Sequence, residues 1–255
     1  MGLDVYSGPL CRYYSGDWET ENARVNRESG MQFASIRMQP WAFERPSEAL
    51  DDIEDWRTVL HHDWRPDLIR GELAWTEHEK LPYLTYMMDW EGLYSLIFFL
   101  CCLQSPEFER PTSLPENFED TEVYDAASRD YASSLLAALE AHAYLPSQEH
   151  FLMPAEDPVG NELFFTSTAR LRSTLDWINS QAWNADPETL QAWLKAQLPA
   201  KMTETGENGS MASAGAQHGI RNGDRLEHAA QYAFAVLHTM LDFSDRHNVP
   251  IRYDW

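Results

Sequence analysis

The stretch Leu93 to Leu103, LYSLIFFLCCL, is the longest predominantly apolar run in the chain, and it carries no charge. As a helix, eleven residues rise about 16 Å, roughly half the thickness of a bilayer core. The run is therefore too short to span a membrane. It is apolar on every side rather than along one stripe, so it reads as a helix buried inside a fold. Asp89 offers its N-cap, and Gln104 is its polar end. Cys101 and Cys102 fall on this helix, where a thiol behaves as a small hydrophobe. With Cys11 they make three cysteines and no C-x-x-C pair. That is no disulfide framework, and it points to a reducing, cytoplasmic setting.

Other segments carry the one-sided patterns that can pack around such a helix. Ser47 caps SEALDDIEDWRTVLHH, in which Leu50, Ile53, Trp56 and Leu60 recur at helical spacing and Pro66 marks the end. Asp17 offers a cap for a helix running to Gly30. Asp120 offers one for a helix whose stripe is Val123, Ala127, Tyr131, Leu135 and Leu139, running out at Pro146. Ser167 or Thr166 caps a helix with Leu171, Leu175 and Ile178 inward. Asp186-Pro187 starts a helix that uses Leu190, Trp193 and Leu194. Asp224 with Glu227 forms a capping-box pattern ahead of Leu226, Ala230, Ala233, Leu237, Met240 and Leu241. Asn248 and Pro250 end that helix.

Strand signals are shorter. Leu3-Asp4-Val5 alternates before a Gly8-Pro9 turn, and MQFASIRM alternates over 31–38. LAWTEHEKLPYL, 73–84, suits a strand pair. HFLM and ELFFTST flank the turn EDPVGN, and VPIRYDW reads as a last strand. The fold class is α+β, mainly helical, with a small sheet formed by the two chain ends and a middle hairpin. The ends are expected as neighbours in that sheet. The whole chain, 1–255, reads as a single domain. Residues 199–223 hold five of the twelve Gly and no aromatic side chain, so they read as a flexible loop insertion.

Forty-one acids against nineteen bases give a net charge of −22. Such a surface repels nucleic acid and anionic lipid and attracts basic partners. No basic region followed by an apolar run marks a signal peptide. Tyr6 stands where a myristoylation motif needs Ser or Thr, so no membrane anchor is expected. Neither a nucleophile elbow nor a Gly-rich phosphate cradle is present. His78-Glu79 begins an H-E-x-x-H pattern that Pro82 breaks. No cofactor is expected.

Two functional readings remain. The first is a non-enzymatic acidic binding protein that covers a basic protein partner, in its fullest form an immunity or antitoxin-like protein covering a toxin. Its contact residues would be Asp51, Asp52, Glu54 and Asp55, with Glu116, Glu119, Asp120, Glu122 and the aromatic Tyr124. The segment 107–125 carries seven acids and one Arg, which suits fast, salt-sensitive association. The second is a metal-dependent hydrolase using His61, His62, Asp63 and His78, since imidazole and carboxylate suit zinc or iron. His61 and His62 equally suit the negative end of a helix. The strand-to-helix passage GNELFFTSTARLR could hold an anion near Arg170 and Arg172, or could simply be a Ser/Thr cap.

The opening MGLDVYSGPLCRYYSGDWE, the phrase ELFFTSTARLRSTLDWIN and the ending RHNVPIRYDW resemble a group of uncharacterised bacterial cytoplasmic proteins. The resemblance touches about fifty residues and implies no site residue. Acidic, compact bacterial proteins of this size without catalytic motifs also look like immunity proteins of contact-dependent toxins, an analogy of type.

Overall fold

The structure, a computed structural model, describes residues 2–30, 41–63, 73, 75–197 and 224–254. The chain runs β1 (Asp4–Ser7), α1 (Leu10–Ser15), α2 (Glu21–Glu28), α3 (Pro46–Asp63), β2 (Leu84–Met87) and α4 (Trp90–Gln104). It continues as α5 (Glu122–Ser128), α6 (Leu136–Leu139), β3 (Ala143–Leu145), β4 (Leu152–Glu156), β5 (Glu162–Ser167) and α7 (Thr168–Ala182). It ends as α8 (Pro187–Gln197), α9 (Arg225–His247) and β6 (Ile251–Asp254), with short 3-10 turns at Phe118–Asp120 and Tyr131–Ser133.

The α+β class, mainly helical, holds. The strands form one sheet in the order β2-β1-β6-β3-β5-β4, antiparallel except for the parallel β3–β5 pair. The two chain ends are neighbours, with Asp4 opposite Asp254 and Val5 opposite Tyr253. The expected hairpin is β4–β5, with Met153 opposite Phe165. The sheet also takes in β2 and β3, so it is larger than the ends and one hairpin. The three residues of β3 are too few for alternation to register against the Leu-rich stretch before them.

Strand alternation divides the interior into two cores. Val5, Tyr144, Ile251 and Tyr253 point to one face, and Tyr6, Ala143, Leu145 and Phe165 to the other. On the first face α4 packs against α9, with α5 to α8 around them. Leu96, Phe99 and Leu100 of α4 are buried beside Ala233, Val236, Leu237 and Met240 of α9. Asp89 Oδ1 accepts Gly92 N–H at 2.8 Å and caps α4, and Asp224 Oδ1 accepts Glu227 N–H at 2.9 Å and caps α9. Asn248 ends α9 in a left-handed conformation, φ 51°. Burial pushes the Cys101 thiol up to about 12 and Cys102 to about 11, which keeps both protonated and inert at neutral pH.

On the second face α1 and α3 cover the sheet, with Ile53, Trp56 and Leu60 inward, as their spacing predicts. Helix α1 was not expected. Pro9 precedes it with an extended ψ of 134° and accepts from Arg12 and Tyr13 through its carbonyl. Gly16 closes it at φ 73°, where a Cβ would also collide with the Trp41 indole. Its free N–H groups at Leu10 and Cys11 donate to the two carboxylate oxygens of Glu77, at 2.9 and 3.1 Å. A cap supplied from more than sixty residues away leaves no local signal.

Three further expectations are corrected. Helix α2 is capped by Thr20, which accepts from Ala23 N–H, rather than by Asp17; α1 and Gly16 occupy the stretch before Asp17. Residues 75–83 form no strand, and the strand near them, β2, begins at Leu84. The single helix expected from Asp120 to Leu145 is broken into α5, a 3-10 turn, α6 and β3, with Thr121 rather than Asp120 as the cap. The break falls at SRDYASS. There the Ser128, Ser133 and Ser134 hydroxyls donate to backbone carbonyls three residues back, and such local bonds compete with helix propagation. The 31–38 strand and the 199–223 loop lie outside the described residues.

Candidate functional site

One turn of α4 after another presents Trp90, Leu93, Tyr94 and Ile97 in a row, the i, i+3, i+4, i+7 face of the helix. This row faces away from α9. Opposite it lie Phe118, Glu119 and Tyr124 from the chain entering α5, and Leu139, Glu140 and His142 from the end of α6. Together with Tyr253 of β6 they line a cleft of about 490 Å³. Its walls are aromatic. The Tyr94 and Phe118 rings lie 5.2 Å apart, and Phe118 meets Tyr124 edge-on at 5.7 Å. Phe118 is buried, while Tyr94 and Tyr124 are half-buried.

The titratable lining includes two acids, Glu119 and Glu140, and His142, which burial and then the Arg252 charge hold below its ordinary value of 6.5. Tyr124 Oη donates to Glu140 Oε1 at 2.8 Å, and Tyr131 also hydrogen-bonds this carboxylate. Burial nevertheless holds Glu140 above its ordinary value of 4.5; the two tyrosine bonds oppose that rise, and the Glu119 charge adds to it. Burial and then Glu119 likewise raise the Tyr94 hydroxyl above 10.0. The two glutamates therefore feel each other within one aromatic cleft. Glu116, Asp120 and Glu122 stand exposed within three residues of Glu119. The described lining residues include no Lys or Arg. Arg170, whose charge reaches Tyr131, donates instead to the carbonyls of Ala132 at 2.7 Å and Ser134 at 2.9 Å.

This geometry sets a stability signature. A carboxyl whose folded pKa lies above its unfolded value favours folding at low pH, and that advantage is lost as pH rises through the folded value. Glu140→Gln is expected to leave the melting temperature unchanged at pH 4 and to raise it at pH 8. Thermal unfolding of both proteins at the two pH values checks this.

The sequence-derived contact residues divide between two sides of the molecule. Glu119 and Tyr124 line the cleft, and Glu116, Asp120 and Glu122 are exposed close to them in the chain. Asp51, Asp52, Glu54 and Asp55 are exposed on α3, across the sheet, and Glu54 is paired with Arg57 at 2.9 Å. One rigid partner face cannot engage both sets. His61 and His62 are exposed in the last turn of α3, where the helix dipole favours them. His78 lies in the segment before β2, its Nδ1 accepting Lys80 N–H at 3.0 Å. The Asp63 side chain lies outside the described residues, and among those described no group of three or more His, Cys, Asp or Glu is placed to hold a metal ion.

The Gly160 to Arg172 passage is a cap. Ser167 Oγ accepts Arg170 N–H at 3.1 Å, and Arg172 bridges Asp242 at 3.0 Å and Asp245 at 2.8 Å. On the α1 side of the sheet, Arg252 is buried beside Asp157 at 2.9 Å and lies over the Tyr13 ring at 4.7 Å. That group joins β6 to the β4–β5 turn. Sequence reasoning missed Trp90, Tyr94, Glu140 and His142. The spacing of the first two on α4 was a usable signal; Glu140 and His142 carried none.

Among the described residues no helix is long and apolar enough to cross a membrane. No protein-family model, no curated protein and no solved structure matches the chain. The cleft and its acidic rim are thus read from their own chemistry.

Proposed function

We propose that this chain is a non-enzymatic, acidic binding protein of the immunity or antitoxin type, which covers a basic protein partner with the face that carries the cleft. The observation behind the reading is the juxtaposition at that face: aromatic walls, the half-buried Glu140 and the exposed Glu119 in the lining, and Glu116, Asp120 and Glu122 exposed within three residues of Glu119. Aromatic anchors within an acidic field suit a partner that is drawn in by charge and held by burial. A net charge of −22 extends the attraction, which salt weakens over a Debye length of about 10 Å at 0.1 M. The reading places the protein in the cytoplasm, and the three buried, unpaired cysteines accord with a reducing compartment.

Two variants test it. Glu116→Lys/Asp120→Lys/Glu122→Lys reverses the cleft rim, and Asp51→Lys/Asp52→Lys/Asp55→Lys reverses α3 by the same charge. Immobilised wild type is expected to retain a basic protein from the source organism at low salt and release it at high salt. The α3 variant should retain it as well, and the rim variant should lose it. Equal retention by both variants, or loss on the α3 variant alone, would contradict the reading.

A further inference from the structure

We infer that the cleft receives an arginine side chain of the basic partner, its guanidinium against the Tyr94, Phe118 and Tyr124 rings and between Glu119 and Glu140. This rests on the basic-partner reading and adds the chemistry of the contact. The occupant should bring positive charge, because two glutamates line the site, its described lining holds no Lys or Arg, and burial disfavours the charged form of its histidine, His142. It must also tolerate aromatic walls. A guanidinium is planar, weakly hydrated and stacks on rings, whereas an ammonium is compact and strongly hydrated.

The acceptors match as well. A carboxylate offers about four lone-pair sites. Glu140 uses some of them for the Tyr124 and Tyr131 hydroxyls. The remainder, with those of Glu119, suit the fork of N–H donors that arginine carries. The volume of about 490 Å³ exceeds one side chain and leaves room for the turn that would present it. Insertion of a cation also favours the ionised form of Glu140, so binding should strengthen as pH rises through the range in which this carboxyl titrates.

Three small probes separate the possibilities: acetyl-arginine methylamide, its uncharged isostere acetyl-citrulline methylamide, and acetyl-lysine methylamide. Each is titrated into protein carrying ring-labelled tyrosine and followed by NMR. The arginine probe is expected to shift Tyr94 and Tyr124 with a millimolar Kd, about tenfold tighter than either of the others, equivalent to about 1.4 kcal/mol. Glu140→Gln should keep the native spectrum and weaken the arginine probe about tenfold. Equal binding of citrulline would make the cleft a neutral slot, and equal binding of lysine would make it a general cation site. Either result overturns the inference, as does an arginine probe that leaves Tyr94 and Tyr124 unmoved. If the probe fails while rim reversal still abolishes partner retention, the arginine assignment falls and the binding face stands. If the probe binds while both reversals leave retention intact, the cleft binds arginine but the partner is held elsewhere, and the assignment of this face to the partner falls.

Discussion

Asp157→Ala is expected to lower the free energy of unfolding by about 3–5 kcal/mol, because it strands a buried charge. Asp157 is buried in the turn between β4 and β5. It accepts Val159 N–H at 3.0 Å, Asn161 N–H at 2.8 Å and the Asn161 side-chain amide at 3.0 Å. It also takes Arg252 Nη2 at 2.9 Å and the Tyr14 hydroxyl at 3.1 Å. Arg252 reaches Tyr14 through Nη1 and is itself buried. Removing the carboxylate leaves that guanidinium with ring faces and a hydroxyl but no counter-charge. Chemical denaturation at pH 7 measures the loss. The double variant Asp157→Leu/Arg252→Leu should recover most of it, since two apolar groups strand nothing.

The pH dependence of this pair follows from its sign. Burial alone would raise the Asp157 pKa; Arg252 and Asn161 outweigh it and hold the carboxyl below 3.8. A depressed carboxyl stabilises the fold above its unfolded value and ceases to do so as pH falls through the folded one. Acid unfolding of the wild type should therefore steepen below about pH 4, and Asp157→Ala should lack that limb.

The second large effect is expected at Glu77→Ala. This carboxylate caps α1 through Leu10 and Cys11 and accepts Trp75 Nε1–H at 2.8 Å. Its loss leaves three partly buried donors unmatched, which predicts about 2–4 kcal/mol of destabilisation. Glu77→Gln should fall between, since its carbonyl oxygen still accepts while its amide group faces donors. Hydrogen exchange at Leu10 and Cys11 would localise the damage: both amides should lose protection in Glu77→Ala well before those of α9.

These two networks explain what the chain discloses and what it hides. Where structure depends on neighbours a few residues apart, the amino acids state it openly. Asp89, Ser167 and Asp224 cap the helices that their positions predict, and Leu226 to Leu241 bury the expected stripe. Cross-chain bonds are different. Glu77 caps a helix from across the fold, and Asp157 meets Arg252 ninety-five residues away. Nothing near either residue announces its partner. The stripe from Val123 to Leu139 misled for a related reason: its spacing is helical, yet serine hydroxyls at 128, 133 and 134 offer the backbone another arrangement.

The candidate site was legible in the same partial way. Glu119 and Tyr124 stood out as an aromatic beside acids, and they line the cleft. Its other wall comes from a helix whose apolar surroundings suggested burial on every side. Helix α4 is long enough to bury one face against α9 and still present Tyr94 to an opening. Glu140 becomes a site residue only because α6 ends where Tyr124 and Tyr131 can reach its carboxylate. The acids of α3 looked equivalent to those of the rim in sequence, and the sheet between them makes them distinct in space.

That separation supplies the most direct test of the binding face. Benzoylphenylalanine is placed at position 116 on the cleft rim, or at position 52 on α3, in cells of the source organism, and irradiated. Both sites are exposed, so neither substitution disturbs the core. One discrete crosslink to a basic protein is expected from position 116 and none from position 52. A discrete crosslink from position 52 with none from position 116 would contradict the binding face.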